Sequence, residues 1–310
     1  MTILVCGSLN MDLVVRSPRL PQPGETLTGH SFATIPGGKG ANQAVAAARQ
    51  SISTAMVGRV GADDFGHQLR HALAVDGINI DAVQVDAETY TGIATITVAE
   101  SGENQIVIVP GANGRVNAAD LTHLKSRFAT AQLLLLQCEI PAAIVAQAAQ
   151  LAHAAGVTVI LDPAPVPAMD LRPIYPFIDI LTPNQVEAAQ LTGRSVNNLL
   201  EAEKAIAHLQ QQGATTVLIK LGEQGVLCGT PQETFHIPAF PVSVVDTVAA
   251  GDAFNGGLAV AIAEGRSLQQ AVIWASATAA LSVSQAGAQP SMPTRSQVGD
   301  FLTQADAAID

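Results

Sequence analysis

The chain has 310 residues, of which 48% are hydrophobic and only 13% are charged, and its formal net charge is −11 at pH 7. This composition favours an α/β enzyme with a large buried core, and the acidic balance argues against a nucleic-acid backbone as partner. No uninterrupted apolar run reaches the roughly 18 residues that a membrane span requires. The first residues enter a strand-like run without a signal-peptide pattern, so we expect a cytoplasmic protein.

The first part of the chain predicts one buried strand and several exposed ones. Residues 2–6 are strand-like, and Asn10 and Asp12 follow just beyond the carboxyl end of this strand, where ligands bind in open α/β sheets. The runs over 13–35 and 91–109 contain β-forming residues, but the first of them is interrupted by prolines. We expect these runs to form a small β-sheet outside the main sheet.

Strands and helices alternate through most of the chain. A glycine-rich segment over 36–42 opens a helix predicted over 43–49, and a strand over 55–60 precedes a helix over 67–75. Further strands are predicted over 133–137, 157–161, 179–181, 216–221 and 240–245, and further helices over 142–155, 185–191, 199–212, 254–263 and 268–283. Buried strands alternating with helices indicate a doubly wound, mainly parallel α/β sheet flanked by helices. Because no linker or repeat divides these elements, residues 1–310 are expected to form one domain.

The segment over 246–256 reads Asp-Thr-Val-Ala-Ala-Gly-Asp-Ala-Phe-Asn-Gly, which places a tight turn ahead of a predicted helix. Backbone N–H groups at a helix start have no intrahelical partner and lie at the positive end of the helix dipole, so they bind anionic oxygens readily. Asp252 lies in this turn. It could take a proton from a hydroxyl that attacks a bound phosphate, or it could only complement the dipole, and this segment by itself leaves both open.

Common nucleotide-binding and metal-binding signatures are absent from the sequence. The G-x-x-x-x-G-K-[ST] pattern fails because Gly38-Lys39 is followed by glycine, and the G-x-G-x-x-G pattern fails because Gly38-Lys-Gly40 continues as Ala-Asn-Gln. The three cysteines lie far apart without C-x-x-C spacing, which argues against a disulfide framework or a zinc site. The sequence therefore predicts neither a P-loop NTPase nor a typical dinucleotide-binding dehydrogenase.

Polar side chains follow many of the predicted strands. They are Asn10, Asp12, Lys39, Asn42, Glu139, Asn184, Glu187, Lys220, Asp246 and Asp252. Because the carboxyl ends of strands in a doubly wound sheet meet at one edge, we expect these side chains to converge. Carboxylates and amides can accept from or donate to several hydroxyls at once, which suits the vicinal hydroxyl groups of a sugar.

Two segments resemble the signatures of the ribokinase-like, or PfkB, carbohydrate kinase family: Gly-Gly-Lys-Gly-Ala-Asn-Gln-Ala-Val-Ala over 37–46 and the segment over 246–256. The resemblance runs nearly end to end, and it also includes the segments over 7–12, 23–26, 110–113, 136–139, 162–165, 182–187 and 287–291. It implies the family's doubly wound α/β fold with a small β-sheet lid, and ATP-dependent phosphorylation of a sugar. The combination of GGKGAN, DPAP and GAQPS implies that the acceptor is O5 of D-ribose.

The resemblance also implies a role for each matching residue. Asp252 would be the general base, and the sugar would be bound by Asn10, Asp12, Gly38, Lys39, Asn42, Glu139 and Asp252. ATP, with Mg²⁺ held largely through water, would be bound by Asn184, Glu187, Lys220, Gly222, Gly225, Gly251 and Ser276. A monovalent cation, K⁺, would be held by oxygens of Asp246, Val248, Ser282, Gln285, Gly287 and Ser291. The lid would close over the sugar and pair two subunits in a homodimer.

Three departures from the family pattern and several alternatives accompany this prediction, and one of the departures, Cys138, is given no function. Lys220 stands where threonine often precedes Leu-Gly, and residues 284–287 lack the basic residue common before the glycine. A kinase for deoxyribose, another small sugar or a nucleoside is an alternative, although aromatic residues make up only 4% of the chain and form no evident base-stacking cluster. A non-catalytic sugar or nucleotide sensor is a further alternative, which the presence of Asp252 disfavours.

Overall fold

Two β-sheets form the framework of the computed structural model, which describes residues 1–307. The strands are β1 (Thr2–Cys6), β2 (Asn10–Ser17), β3 (Ser31–Gly37), β4 (Ser53–Gly61), β5 (Asn79–Asp86), β6 (Gly92–Ala99), β7 (Asn104–Val109), β8 (Ala131–Gln137), β9 (Thr158–Asp162), β10 (Ile180–Leu181), β11 (Thr216–Lys220), β12 (Val226–Gly229) and β13 (Thr234–Ile237). The larger sheet has nine strands in the order β13-β12-β11-β10-β9-β8-β1-β4-β5, and the smaller has four in the order β3-β2-β6-β7. From β5 to β11 the larger sheet is parallel, whereas β11, β12 and β13 pair antiparallel.

Helices cover both faces of the larger sheet. They are α1 (Lys39–Ala48), α2 (Asp64–Val75), α3 (Ala118–Lys125), α4 (Ala142–Ala154), α5 (Gln185–Thr192), α6 (Leu199–Gln211), α7 (Ala250–Ala263), α8 (Leu268–Val283) and α9 (Arg295–Ala307). Helices α1, α2, α7, α8 and α9 contribute to the hydrophobic cluster on one face, and α3 to α6 to the cluster on the other. In β8, Leu133 and Leu135 face the first cluster, and Leu134 and Leu136 face the second. Burial on both faces explains why this strand is a continuous apolar run.

The smaller sheet begins just after the chain leaves the larger sheet at the end of β1. Its strand β2 starts at Asn10, so Asn10 and Asp12 lie at the junction of the two sheets. Asp12 is paired in register with Ala94, and Ala94 with Ile108, so their side chains share one face of the smaller sheet. Ile106, two residues from Ile108, lies on that face and is 51% exposed.

The predicted fold class is confirmed, since a large mixed sheet flanked by helices is accompanied by a separate small sheet. The strand predicted over 240–245 is wrong, because this segment has no regular secondary structure. Pro238 and Pro241 supply no N–H for a strand ladder, and the N–H of Val245 donates instead to the carbonyl of Val283 at 2.8 Å. Helix α7 starts at Ala250 rather than at residue 254, so it includes the turn itself.

Several short or polar elements had no sequence prediction. They are β5, β13, α3 and α9. Helix α3 carries a recognisable signal, because Asn117 and Asp120 form a reciprocal capping box at its start. Among the described helices, none combines the length and the apolar character needed to cross a membrane.

Candidate active site

Asp252 lies in the first turn of α7 and is only 4% exposed. Its Oδ2 accepts a hydrogen bond from Asn42 Nδ2 at 2.9 Å, and its Oδ1 accepts one from Gln43 Nε2 at 3.1 Å. Both donors belong to α1, which packs closely on α7: a Cβ added to Gly256 would lie 2.4 Å from the Cβ of Ala46. The small residues at this crossing therefore bring the two amides to the carboxylate.

The start of α7 is shaped to receive an anion. Ala249, which precedes the helix, has φ 60 in the left-handed region, where an alanine costs roughly 1–2 kcal/mol. No side-chain cap is made at Ala249. The N–H of Ala250 donates to the carbonyl of Thr247 at 3.3 Å, so the N–H groups of Gly251 and Asp252 are left for another acceptor. A Cβ added to Gly251 would lie 3.3 Å from Nζ of Lys220, which places a cation beside the same turn.

A cluster of polar side chains, Asn10, Asp12, Asn42 and Glu139, which we call the polar pocket, lies near Asp252 at the junction of the two sheets. Glu139 Oε2 accepts a hydrogen bond from Ser8 Oγ at 2.5 Å and one from the N–H of Lys39 at 3.2 Å. A Cβ added to Gly37 would lie 2.3 Å from Asp12 Oδ2, so glycine is needed there to admit the carboxylate. The charges of Glu139 and Asp252 both act on Asp12, so these three predicted sugar-binding side chains lie close together.

The backbone of Gly38 and the side chain of Asn42 complete this pocket. Gly38 has φ 90, and a Cβ there would lie 2.6 Å from the N atom of Asn10. Asn42 is 5% exposed, and its Oδ1 has no hydrogen-bond partner within residues 1–307. A buried carbonyl oxygen without a partner is costly, so this atom is available to a bound hydroxyl.

Asn113 supports the pocket, although the sequence patterns assign it no role. Its Nδ2 donates to Asn10 Oδ1 at 2.8 Å and to the carbonyl of Leu9 at 2.9 Å, and its Oδ1 accepts from the N–H of Leu9 at 2.9 Å. Gly92 makes room for this arrangement, because a Cβ there would lie 2.4 Å from Asn10 Oδ1. The signal that could have identified it is the Pro-Gly-Ala-Asn segment over 110–113.

A cleft of about 960 Å³ opens on the other side of Asp252. It is lined by all of the predicted nucleotide-binding residues, Asn184, Glu187, Lys220, Gly222, Gly225, Gly251 and Ser276. Its far wall is apolar and is formed by Phe240, Val242, Ala279, Ala280 and Val283. Ser276 is 8% exposed, and among the described residues its Oγ finds no partner, so it is a polar group available within this wall.

Asn184 and Glu187 are held in a rigid arrangement at the start of α5. Asn184 Oδ1 accepts from the N–H of Glu187 at 2.9 Å, while Glu187 accepts from the N–H of Asn184 at 2.7 Å and from its Nδ2 at 2.8 Å. Burial, followed by the negative charge of Asp162, raises the pKa of Glu187. The capping box therefore fixes a carboxylate and an amide at the edge of the cleft.

Asp162 and Gln43 join the two sides of the site, and the sequence patterns gave neither a role. Asp162 Oδ1 accepts from Lys220 Nζ at 3.0 Å, and its Oδ2 accepts from Gln43 Nε2 at 3.1 Å. Gln43 Nε2 is the same atom that donates to Asp252. The signals that could have found them are their positions: Asp162 ends β9, and Gln43 follows the glycine-rich segment.

The site concentrates several acids around Lys39. Burial, together with the charges of Glu139 and Asp252, raises the pKa of Asp12 to about 7. Burial also raises the pKa of Asp252, and Lys39 opposes this shift. For Lys39, burial lowers the pKa, but the surrounding carboxylates, Asp252 foremost, raise it by more, so the ammonium group stays charged.

The predicted cation-binding residues lie in two neighbouring segments, around 246 and around 282–291: Asp246, Val248, Ser282, Gln285, Gly287 and Ser291. Asp246 Oδ1 accepts from the N–H of Val248 at 3.0 Å, and its Oδ2 accepts from the N–H of Gly287 at 2.9 Å. The hydroxyl groups of Ser282 and Ser291 are 2.7 Å apart and bond each other. Asp246 thus fastens the two segments together, and the two hydroxyls are occupied within the protein.

The mixed nine-stranded sheet, the separate small sheet and a buried acid between a polar pocket and a cleft define a class of protein, the carbohydrate kinases. Residues 2–295 match the family described as pfkB family carbohydrate kinase. The chain belongs to this family, so the predicted family and the predicted kinase class are confirmed.

Relatives of this chain carry the name ribokinase. The chain is 40% identical over 304 residues to the ribokinase of Haemophilus influenzae, with 98% of this chain and 99% of that protein aligned. It is 39% identical over 301 residues to the ribokinase of Bacillus subtilis, with 97% of this chain and 99% of that protein aligned. The solved structure of Arabidopsis thaliana ribokinase complexed with ribose and ATP matches with a TM-score of 0.87 at 37% identity, covering 97% of this chain and 98% of that chain.

Proposed function

We propose that this protein transfers the γ-phosphoryl group of ATP to O5 of D-ribose. The observation that carries the proposal is the position of Asp252, whose buried carboxylate stands between the polar pocket and the cleft. Similarity to ribokinases, one of them with ribose and ATP bound, supports ribose as the acceptor and ATP as the donor. ATP use also supports the predicted cytoplasmic location.

Asp252 is the general base in this proposal. It removes the proton of the O5 hydroxyl while the bond from O5 to the γ-phosphorus forms and the bond from that phosphorus to the leaving oxygen of ADP breaks. Burial raises the pKa of Asp252, which makes the carboxylate a stronger base, and such a base contributes roughly 10²- to 10⁴-fold to the rate. Hydrogen bonds from Asn42 and Gln43 keep the carboxylate ionised and oriented.

The polar pocket binds the sugar hydroxyl groups. Asn10, Asp12, Asn42 and Glu139 supply amide and carboxylate oxygens, and Lys39 supplies an ammonium group, so hydroxyls can both donate and accept. The unpartnered Oδ1 of Asn42 accepts from one hydroxyl. The absence of a Cβ at Gly38 lets the start of α1 pack against the backbone of residues 8–10, which brings the two segments of the pocket together. Binding at several points orients O5 toward Asp252, which is the main requirement of phosphoryl transfer.

The cleft binds ATP. The free N–H groups at the start of α7 bind the transferring phosphoryl group, and the loss of one such donor costs about 2.7–4 kcal/mol in other enzymes. Lys220, beside Gly251, adds a positive charge to the phosphates. The apolar wall formed by Phe240, Val283 and their neighbours receives the base, with Ser276 as a polar partner.

Mg²⁺ fits the edge of the cleft at Asn184 and Glu187. Both oxygens of Glu187 already accept hydrogen bonds from Asn184, so this pair suits Mg²⁺ held through water rather than directly, as Mg²⁺ often is beside phosphates. When bound, Mg²⁺ neutralises charge on the phosphates.

K⁺ fits the two segments that Asp246 fastens together. Because the hydroxyls of Ser282 and Ser291 bond each other, the ligands in this chain are mainly backbone oxygens, with Asp246 supplying negative charge and Val248, Gln285 and Gly287 completing the set. A cation there stabilises the segment that leads into the start of α7. Stimulation of the kinase by K⁺ over an inert cation such as tetramethylammonium tests this assignment, and equal rates would contradict it.

The small sheet is the lid of a single domain, and it also pairs two subunits. It carries Asp12 on one face, so closure over the sugar excludes water that would otherwise hydrolyse ATP. Ile106 and Ile108, on the same face, are 51% and 42% exposed. Covering such apolar side chains is favourable, and a second copy of the chain placed there would bury them.

An acceptor screen tests the proposed function. Purified protein with ATP, Mg²⁺ and K⁺ is offered D-ribose, deoxyribose, fructose and nucleosides in turn, and ADP release is measured by a coupled assay. We expect the highest kcat/KM with D-ribose, and phosphorus coupling to the C5 protons of the product in NMR. A clear preference for another acceptor would overturn ribose as the substrate, and tight binding without ADP release would favour the sensor alternative.

A further inference from the structure

Gln43 forms a buried bridge between two carboxylates. It is 0% exposed, and its Nε2 lies 3.1 Å from both Asp252 Oδ1 and Asp162 Oδ2. Its Oε1 accepts a hydrogen bond from Gln137 Nε2 at 2.6 Å. Because Oε1 is held by Gln137, the NH₂ group has to face the carboxylates, and its two protons serve one carboxylate each.

The bridge continues into the nucleotide cleft. Asp162 is 2% exposed and pairs with Lys220 Nζ at 3.0 Å, and both residues line the cleft. A buried carboxyl group is costly unless its oxygens are paired, and Asp162 accepts from Lys220 through Oδ1 and from Gln43 through Oδ2. A continuous series of polar contacts therefore runs from Lys220 through Asp162 and Gln43 to Asp252.

We propose that Gln43 and Asp162 are positioning residues for Asp252. In this proposal the Lys220–Asp162 ion pair couples Asp252 electrostatically to the end of the cleft where the phosphates bind. The inference rests on the role of Asp252 proposed above. Gln43 and Asp162 touch neither substrate in this proposal. They set the direction and the charge surroundings of the carboxylate that removes the proton.

The charge balance around Asp252 predicts a specific effect of Lys220. The charged groups that act on Asp252 are Lys39 of α1 and Asp162 of β9, and Asp252 in turn acts on Asp12 of β2. Behind them, Glu139 after β8 and Glu187 of α5 act on Lys39, and Lys220 of β11 pairs with Asp162. Removing the Lys220 charge leaves that of Asp162 uncompensated beside Asp252. A nearby negative charge disfavours ionisation, so the pKa of Asp252 rises. Replacing Asp162 by the neutral amide in the same protein removes this cause.

The first test separates positioning from folding. Gln43→Met keeps the length of the side chain but removes the amide. Because a base that is displaced by about 1 Å loses much of its rate advantage, we expect kcat to fall about 10- to 100-fold. KM for sugar and for ATP should change less than about threefold. Gln50→Met is the matched control, because Gln50 is equally buried after the same helix and bonds Trp274 and Ala46 instead. We expect it to lower thermal stability to a similar degree with unchanged kcat. Equal kcat in the two variants would overturn the role of Gln43.

The second test is a double-mutant cycle of Lys220→Met, Asp162→Asn and the combination. We expect Lys220→Met to move the acidic limb of the kcat profile upward by about one pH unit, and the added Asp162→Asn to return it toward the wild-type position. If Lys220 only binds phosphate, KM for ATP rises in both the single and the double variant and the acidic limb does not move. That result, or an acidic limb that stays shifted in the double variant, would overturn the proposed coupling of Lys220 to Asp252 through Asp162.

A titration without substrate keeps this test independent of the acceptor. The carboxyl carbon of Asp252 is followed by ¹³C NMR in protein labelled at aspartate and is assigned by its loss in Asp252→Asn. The titration midpoint should rise in Lys220→Met and return in the double variant even if ribose proves to be the wrong sugar. An unmoved midpoint would overturn the inference while leaving the proposed function standing.

Discussion

Asp252 and Asp12 are acids of the same pocket with different surroundings. Asp252 accepts two amide hydrogen bonds and faces Lys39, and both features favour its ionised form despite burial. Asp12 instead faces Glu139 and Asp252, and with burial these raise its pKa to about 7. Burial thus raises the pKa of Asp252 against the opposing effects of Lys39 and the two amides, whereas burial and both neighbouring charges all raise the pKa of Asp12.

Removing the base should separate binding from catalysis. In Asp252→Asn the amide keeps the size of the side chain but cannot take a proton, so we expect kcat to fall roughly 10²- to 10⁴-fold. Affinity for ribose and ATP, measured by calorimetry, should change little. A variant that binds both ligands and retains full phosphorylation would contradict the assigned mechanism.

The pKa of Asp12 predicts a pH-dependent stability. The pKa rises from the ordinary 3.8 to about 7 on folding, so between these values the folded state binds more protons than the unfolded state, and the free energy of unfolding falls as pH rises through this window. Asp12→Asn removes this loss, and we expect it to stabilise the protein by on the order of 1–3 kcal/mol at pH 8 and by little near pH 4. Urea denaturation at both pH values measures the stabilisation. The affinity of the variant for ribose should decrease. Equal stabilisation at the two pH values would count against it.

At the scale of elements, the crossing of α1 and α7 determines the geometry of the site. Helix α1 carries Lys39, Asn42 and Gln43, and α7 carries Asp252, so their separation sets the contacts between amides and base. Gly256 allows the close approach, since a Cβ there would meet the Cβ of Ala46 at 2.4 Å. A distance that short forces one of the two helices to move.

Gly256→Ala should therefore lower both stability and activity. Overpacking of this kind costs about 1–3 kcal/mol of unfolding free energy, and the displaced α1 should reduce kcat about tenfold or more. Gly299→Ala in α9 is a matched control, because a Cβ there meets nothing within 4 Å and alanine favours a helix by roughly 0.5–1 kcal/mol over glycine. Denaturation and kcat measured on both variants check this. If Gly256→Ala were as stable and active as Gly299→Ala, the crossing of α1 and α7 would accommodate the added methyl group, and the prediction would be wrong.

At the scale of the whole molecule, the two sheets contribute different parts of the candidate site. The larger sheet brings residues that are far apart in sequence to one edge, as the contact between Gln43 and Asp162 shows. The smaller sheet extends from that edge and carries Asp12 on the same face as the exposed Ile106 and Ile108. A partner that covers this face would cover the sugar pocket at the same time.

The proposed homodimer can be tested at Ile106. Ile106→Glu places a charge on an apolar face, which costs free energy only if the face is buried by a second copy. We expect the wild-type chain to sediment as a dimer and the variant as a monomer, with a higher KM for ribose. Val75→Glu is the control, since Val75 is 72% exposed at the last residue of α2, shortly before β5 of the larger sheet. A wild-type monomer, or a dimer unaffected by Ile106→Glu, would rule out this interface.

The sequence by itself determined the fold class and the region of the site. Periodic apolar runs predict buried strands and helices, and polar residues such as Asn10, Asp12 and Asn184 stand where strands end, which places them at the ligand-binding edge of an α/β sheet. The roles of individual residues came from the family motifs. Local patterns wrongly predicted a strand over 240–245, because Pro241 has no N–H and the N–H of Val245 bonds the carbonyl of Val283 rather than a neighbouring strand.

Only the tertiary structure decided how the base is held. Gln43 lies beside Asn42, a proposed sugar-binding residue, and Asp162 ends a strand more than a hundred residues later, so nothing local relates the two. Their contact depends on α1 crossing α7 above the end of β9, and on glycine at the closest point of that crossing. Hydrogen bonds between distant segments depend on the packing of whole elements, and this is why the bridge from Lys220 to Asp252 became visible only in three dimensions.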